Sequence, residues 1–73
     1  MLRYGSTGDA VETLQRALRA SPVKATLAID GDFGTLTRYW VGVFQHVIGL
    51  KRDEIVGART WARLAPYITT TED

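Results

Sequence analysis

Apolar positions recur at helical spacing in two long stretches of the chain. In residues 9–20, Val11, Leu14 and Leu18 share one face, with Ala10 and Ala17 beside them. Glu12 and Arg16 lie one turn apart on the opposite face, acid first, the favourable order for an ion pair along a helix. Asp9 places a carboxylate at the positive end of the helix dipole, and Ser21-Pro22 ends the segment, because the residue before proline is pushed out of the α region. The second stretch, residues 30–48, reads DGDFGTLTRYWVGVFQHVI and is the most apolar part of the molecule. Turn chemistry at Asp30-Gly31 and Gly34 feeds a second helix from about Thr35 to Gly49, with Gly49 placed for a left-handed cap. Two apolar stripes run down that helix, one through Thr37, Val41, Phe44 and Ile48 and the other through Leu36, Trp40, Val43 and Val47. Together they predict a central helix covered on two sides. Gly42, in its middle, costs about 1 kcal/mol relative to alanine and predicts a close helix-helix approach.

Between and around these segments the pattern is shorter. Leu2 and Tyr4 read as apolar anchors ahead of the turn Gly5-Ser6-Thr7-Gly8. Residues 23–29, VKATLAI, alternate Leu27 and Ile29 inward, but a lone short strand is marginal, so a loop with apolar anchors is expected. Residues 50–57 form a polar connection with Ile55 and Val56 pointing in. A third, shorter helix follows over about 58–65, with Trp61 and Leu64 on its inner face and Pro66 closing it. Residues 1–68 are read as one domain and 69–73 as a flexible C-terminal tail.

The two helices carry the same phrase. Val11-x-x-Leu14-Gln15-x-x-Leu18 recurs as Val41-x-x-Phe44-Gln45-x-x-Ile48. The turns echo too, since Gly34-x-x-Thr37 and Gly57-x-x-Thr60 share a glycine for the bend and a threonine whose hydroxyl can bond a backbone group of the first helical turn. The repeat is too short for a solenoid. The fold class expected is all-α, a small three-helix bundle with loop-rich connections built on a pseudo-repeat of two similar helical halves.

Composition narrows the function. A 73-residue chain buries only about 60% of its unfolded surface, and without cysteine neither disulfides nor a thiolate metal site can add to its core. Nine basic and eight acidic side chains leave a net charge of +1, with the cations scattered among the acids. That excludes the basic stripe of a nucleic-acid binder. No run approaches the roughly 20 apolar residues of a membrane span. The N-terminus, MLRYGSTGD, has no signal-peptide hydrophobic stretch, which leaves retention inside, another export route or excision from a longer chain open. His46 is the lone histidine and has no ligand spacing around it, Ser6 and Ser21 sit in turns, and no phosphate-cradling loop exists. No metal, cofactor or catalysis is expected.

Five pieces of the chain resemble the peptidoglycan-binding domain type 1 that accompanies bacterial and phage cell-wall hydrolases. They are Leu2-Arg3-x-Gly5-Ser6-x-Gly8, Val11-x-x-Leu14-Gln15-x-x-Leu18, Asp30-Gly31-x-Phe33-Gly34-x-x-Thr37, Val41-x-x-Phe44-Gln45 and Val56-Gly57-x-x-Thr60-Trp61-x-x-Leu64, in the family's order and at about its spacing. The resemblance implies a three-helix, non-catalytic module that binds peptidoglycan and holds an attached enzyme at the cell wall, or in the periplasm or outside the cell when part of a secreted protein. Tethering raises effective concentration, so modest affinity suffices. Two departures stand out: Tyr39 and Trp40 occupy places the family usually gives to small residues, and Asp53-Glu54-Ile55 stands where Asp-Gly is common.

Candidate ligand contacts follow. Tyr39, Trp40 and Trp61 offer flat apolar faces to sugars. Arg38 and Arg59 stand near the two Gly-x-x-Thr turns, within reach of a stem-peptide carboxylate, and Asp30 and Thr37 complete the set. Each has a structural alternative: a core position for Trp40, a turn or cap role for Asp30 and Thr37, a solvated charge for the arginines. Gln15 and Gln45 are expected to bond loop backbone rather than sugars. A second function stays open, a protein-interaction module with Tyr39 and Trp40 as interface anchors.

Overall fold

The computed structural model describes residues 1–68; the expected tail at 69–73 lies outside the described residues. Three helices form: α1 at Asp9–Ala20, α2 at Thr35–Val47 and α3 at Ala58–Leu64, the last running into a 3-10 turn at Ala65–Tyr67. The first helix has the predicted bounds and a 3.6 Å ion pair between Glu12 and Arg16. The second stops two residues short of Gly49, which takes the left-handed φ of 82° just beyond it. Pro66 does not close the third helix; it sits inside the 3-10 turn that prolongs it.

Val11, Leu14, Ala17 and Leu18 of α1 meet Val41 and Phe44 of α2 and Leu64 of α3 in one core, completed by Ala25, Leu27, Phe33 and Val56 from the loops. The leading segment laces the two halves together. Leu2 exchanges backbone hydrogen bonds with Val56 at 3.1 and 2.7 Å, and Gly5 N and Ser6 O bond Phe33 O and N, both at 2.9 Å. Residues 23–29 remain a loop anchored by Ala25 and Leu27.

Four packing expectations are corrected. The helix α2 is covered on one side, not two: Leu36 and Val47 of the second stripe are 52% and 58% exposed, and Trp40 and Val43 are half-buried. A chain this short, with a third helix of only seven residues, lacks the mass to cover both faces. The nearest neighbour of Gly42 is not a helix but the Arg52 side chain, whose Nε would stand 2.6 Å from a methyl group there. Tyr4 is no core anchor, being 58% exposed with the Arg38 guanidinium 4.9 Å above its ring. Thr37 and Thr60 do not cap their helices, whose first turns receive no side-chain hydrogen bond. Both hydroxyls turn inward instead, to the glutamines.

Candidate functional site

Two polar clasps, one in each half, shape the surface. Gln15 is buried on α1, and its amide nitrogen lies 2.9 Å from Asp30 Oδ1, 3.1 Å from Asp32 O and 3.1 Å from Thr37 Oγ1. Its carbonyl oxygen accepts the backbone N–H groups of Asp30 and Gly31, each at 3.0 Å. Gln45 repeats this on α2. Its amide reaches Asp53 Oδ1 at 2.9 Å, Ile55 O at 3.0 Å and Thr60 Oγ1 at 3.1 Å, and its carbonyl accepts Glu54 N at 2.9 Å. A loop this close to the core has backbone groups that water cannot reach, and one amide side chain satisfies several of them. The expected structural role of both glutamines holds.

Asp30 and Asp53 act alike. Each closes an Asx-type turn, Asp30 Oδ1 accepting Asp32 N at 2.9 Å and Asp53 Oδ1 accepting Ile55 N at 3.0 Å. These backbone bonds first, and the glutamine bonds second, hold both carboxyls below the ordinary carboxylate value of 3.8. The left-handed position after each aspartate is filled differently. Gly31 takes φ 76° in the first half, whereas Glu54, a residue with a Cβ, takes φ 62° in the second. Glu54 faces Arg38 and Arg52, each at 3.9 Å.

Each clasp underlies a pocket. The first, about 220 Å³, is bounded by Asp30, Asp32, Leu27, Leu36 and Thr37 around Gln15. The second, about 180 Å³, is bounded by Leu50, Lys51, Asp53, Arg59 and Thr60 around Gln45. The candidate contacts are therefore dispersed. Asp30 and Thr37 line the first pocket and Arg59 the second. Arg38 is occupied by Glu54 and Tyr4. Tyr39 is 51% exposed and meets Trp40 edge to face at 5.2 Å, while Trp40 and Trp61 are half-buried against the core. Leu36 both lines the first pocket and begins the exposed stripe of α2, and Tyr39, also exposed, stands one turn along from it.

Lys51, Asp53 and Thr60 were not singled out as ligand contacts from the sequence, yet they line the second pocket. For Asp53 and Thr60 the signal is in the repeat, since Asp53, Gly57 and Thr60 have the spacing of Asp30, Gly34 and Thr37; Lys51 has no counterpart in that pattern. Among the described residues no group of His, Cys, Asp or Glu is arranged to hold a metal ion, and no helix is long and apolar enough to cross a membrane.

Comparison with known proteins places these features. Residues 7–64 match the family described as "Putative peptidoglycan binding domain". The chain is 42% identical over 64 residues to the zinc D-Ala-D-Ala carboxypeptidase of Streptomyces albus G, covering 86% of this chain and 25% of that protein. Among solved structures it resembles the Burkholderia AP3 phage endolysin (TM-score 0.83, 44% identity, 88% of this chain and 24% of that one). It also resembles the SleB N-terminal domain (TM-score 0.85, 31% identity, 93% and 92%). The chain spans about half of one curated relative it matches, 54%, and a quarter of the other, 25%.

Proposed function

The chain belongs to the peptidoglycan-binding domain family, and from that premise we propose that it is a non-catalytic anchor holding an attached cell-wall enzyme on its polymer. The observation that carries the reading is the first pocket together with its apolar shoulder. A recess of about 220 Å³ edged by Asp30, Asp32 and Thr37 offers acceptors to the hydroxyl, amide and ammonium groups of the wall. Leu36 and Tyr39, both more than half exposed, supply the flat apolar surface a sugar ring packs on. Trp40 meets Tyr39 edge to face, and Arg38 is the flanking charge, tied to Glu54. The relatives that include a carboxypeptidase and an endolysin support a catalytic partner elsewhere in the same polypeptide.

Retention on purified sacculi tests this. The protein co-sediments with sacculi, and Tyr39→Ala weakens retention about tenfold while the fold, followed by circular dichroism, is kept. Undiminished retention after Tyr39→Ala and Leu36→Ala together removes the shoulder from the site.

The exposed stripe supports a second reading. Leu36, Tyr39 and Val47 form apolar surface on one helix face, the kind of anchor a protein interface uses. Self-association in analytical ultracentrifugation without sacculus retention selects that reading.

A further inference from the structure

The two pockets share a clasp and differ in charge. The first is lined by Asp30 and Asp32 and by no basic side chain. The second sets Lys51 and Arg59 against the single carboxylate of Asp53. Among the described residues neither Lys51 nor Arg59 takes part in an ion pair, whereas Arg38 and Arg52 share Glu54. One oxygen of the Asp53 carboxylate, Oδ1, is fixed by Gln45 Nε2 and Ile55 N, as Asp30 Oδ1 is in the first pocket by Gln15 Nε2 and Asp32 N, so the carboxylate stays in place beside the two cations. The inner wall differs as well. Thr37 donates to Asp32 O at 3.4 Å, but Thr60, buried and accepting from Gln45, donates no hydrogen bond among the described residues. Its hydroxyl proton is available to a ligand. Half-buried Leu50 adds an apolar side wall.

We propose that this second pocket is an anion subsite that takes the carboxylate of a short peptide. Arg59 supplies the planar fork suited to a carboxylate, Lys51 a second charge, Thr60 an inner donor, and Leu50 a surface for a small aliphatic side chain. Two cations against one fixed anion leave a single positive charge, which a singly charged carboxylate neutralises. A doubly charged phosphate would overshoot and meet Asp53. The proposal rests on the wall-binding reading, because peptide stems are the wall component that carries such carboxylates. In that setting the acidic first pocket and the basic second one receive opposite ends of the ligand's chemistry.

Titration of the 15N-labelled protein with N-acetyl-D-alanyl-D-alanine, its C-terminal amide and inorganic phosphate, followed by amide chemical shifts, tests the proposal. The free acid moves the Lys51, Asp53, Arg59 and Thr60 resonances saturably, and the amide and phosphate bind at least about tenfold more weakly. Lys51→Gln with Arg59→Gln lowers affinity for the acid by about tenfold or more, while Arg19→Gln with Arg63→Gln, the same change of net charge elsewhere, leaves it within about twofold. Equal binding of acid and amide, equal binding of phosphate, or an unaffected Lys51/Arg59 variant overturns the proposal. Sacculus retention of the wild type separates the two readings: retention without a response to the free acid removes the subsite and leaves wall binding standing. A response to the acid without retention removes wall binding instead.

Discussion

Gln15 and Gln45 occupy corresponding places on α1 and α2 and tie corresponding loops, yet what they tie differs in length, backbone and charge. The first clasp gathers a long loop through five hydrogen-bond contacts and has glycine at the left-handed position. The second gathers a shorter loop through four, and Glu54 bears the left-handed strain. The aspartate, the glutamine and the threonine are the parts that do not vary between the halves. They are therefore architecture: a small core cannot leave loop amides buried and unpaired, and this trio pairs them. With the backbone held by the clasp, the rim is free to change. That is how one pocket came to be acidic and the other basic on the same framework.

Breaking the clasps gives the largest effects. Gln15→Ala strands the amides of Asp30 and Gly31 and is expected to cost about 3 kcal/mol, with Gln45→Ala costing less because fewer groups lose a partner. Urea denaturation measures both, and a cost below about 0.5 kcal/mol for Gln15→Ala would show the clasp to be decorative. Exchanging the left-handed residues comes next. Gly31→Ala forces a Cβ into φ 76° with Glu12 and Gly8 at 3.4 Å, and is destabilising by about 1–2 kcal/mol. Glu54→Gly has the opposite sign. It relieves that strain and gives up two exposed 3.9 Å ion pairs, for a net gain of up to about 1 kcal/mol in thermal unfolding.

Acid tests both halves together. Asp30 and Asp53 have folded-state values below the ordinary 3.8, so their contribution is fully present above that value and is lost as pH falls through the lower folded-state value. Stability measured by denaturant midpoint therefore declines on acidification, and Asp30→Asn with Asp53→Asn flattens the decline. An unchanged slope in the double variant would place the acid sensitivity elsewhere. The smallest effect belongs to Gly42→Ala. The added methyl displaces the Arg52 side chain, but that side chain is flexible and the helix gains about 1 kcal/mol of propensity, so stability changes by less than about 1 kcal/mol.

Helical periodicity made the three helices and the buried face of each legible, because burial of one stripe is what a helix of this size needs. The repeat around Gln15 and Gln45 was legible for the same reason. The outer stripe of α2 misled, since sequence pattern records apolar residues but not whether enough chain exists to cover them. Gly42 misled similarly; the atoms nearest it belong to a loop arginine, Arg52. Thr37 and Thr60 looked like caps because local sequence cannot show a glutamine approaching from another helix. For the site, Asp30 and Thr37 line one pocket and Arg59 the other, a division that follows the repeat, whereas the exposure of the side chains around each rim depends on packing that no local pattern encodes.

Wall binding is assigned here to the first pocket and the shoulder beside it. A titration of the 15N-labelled protein with a soluble muropeptide locates the contact residue by residue. Saturable shifts are expected at residues 30–39, including the Leu36 and Tyr39 amides, accompanied by Lys51, Asp53, Arg59 and Thr60 where the stem carboxylate enters the second pocket. Shifts confined to the far end of α2 around Val43 and Val47, with residues 30–39 unmoved, would contradict that assignment.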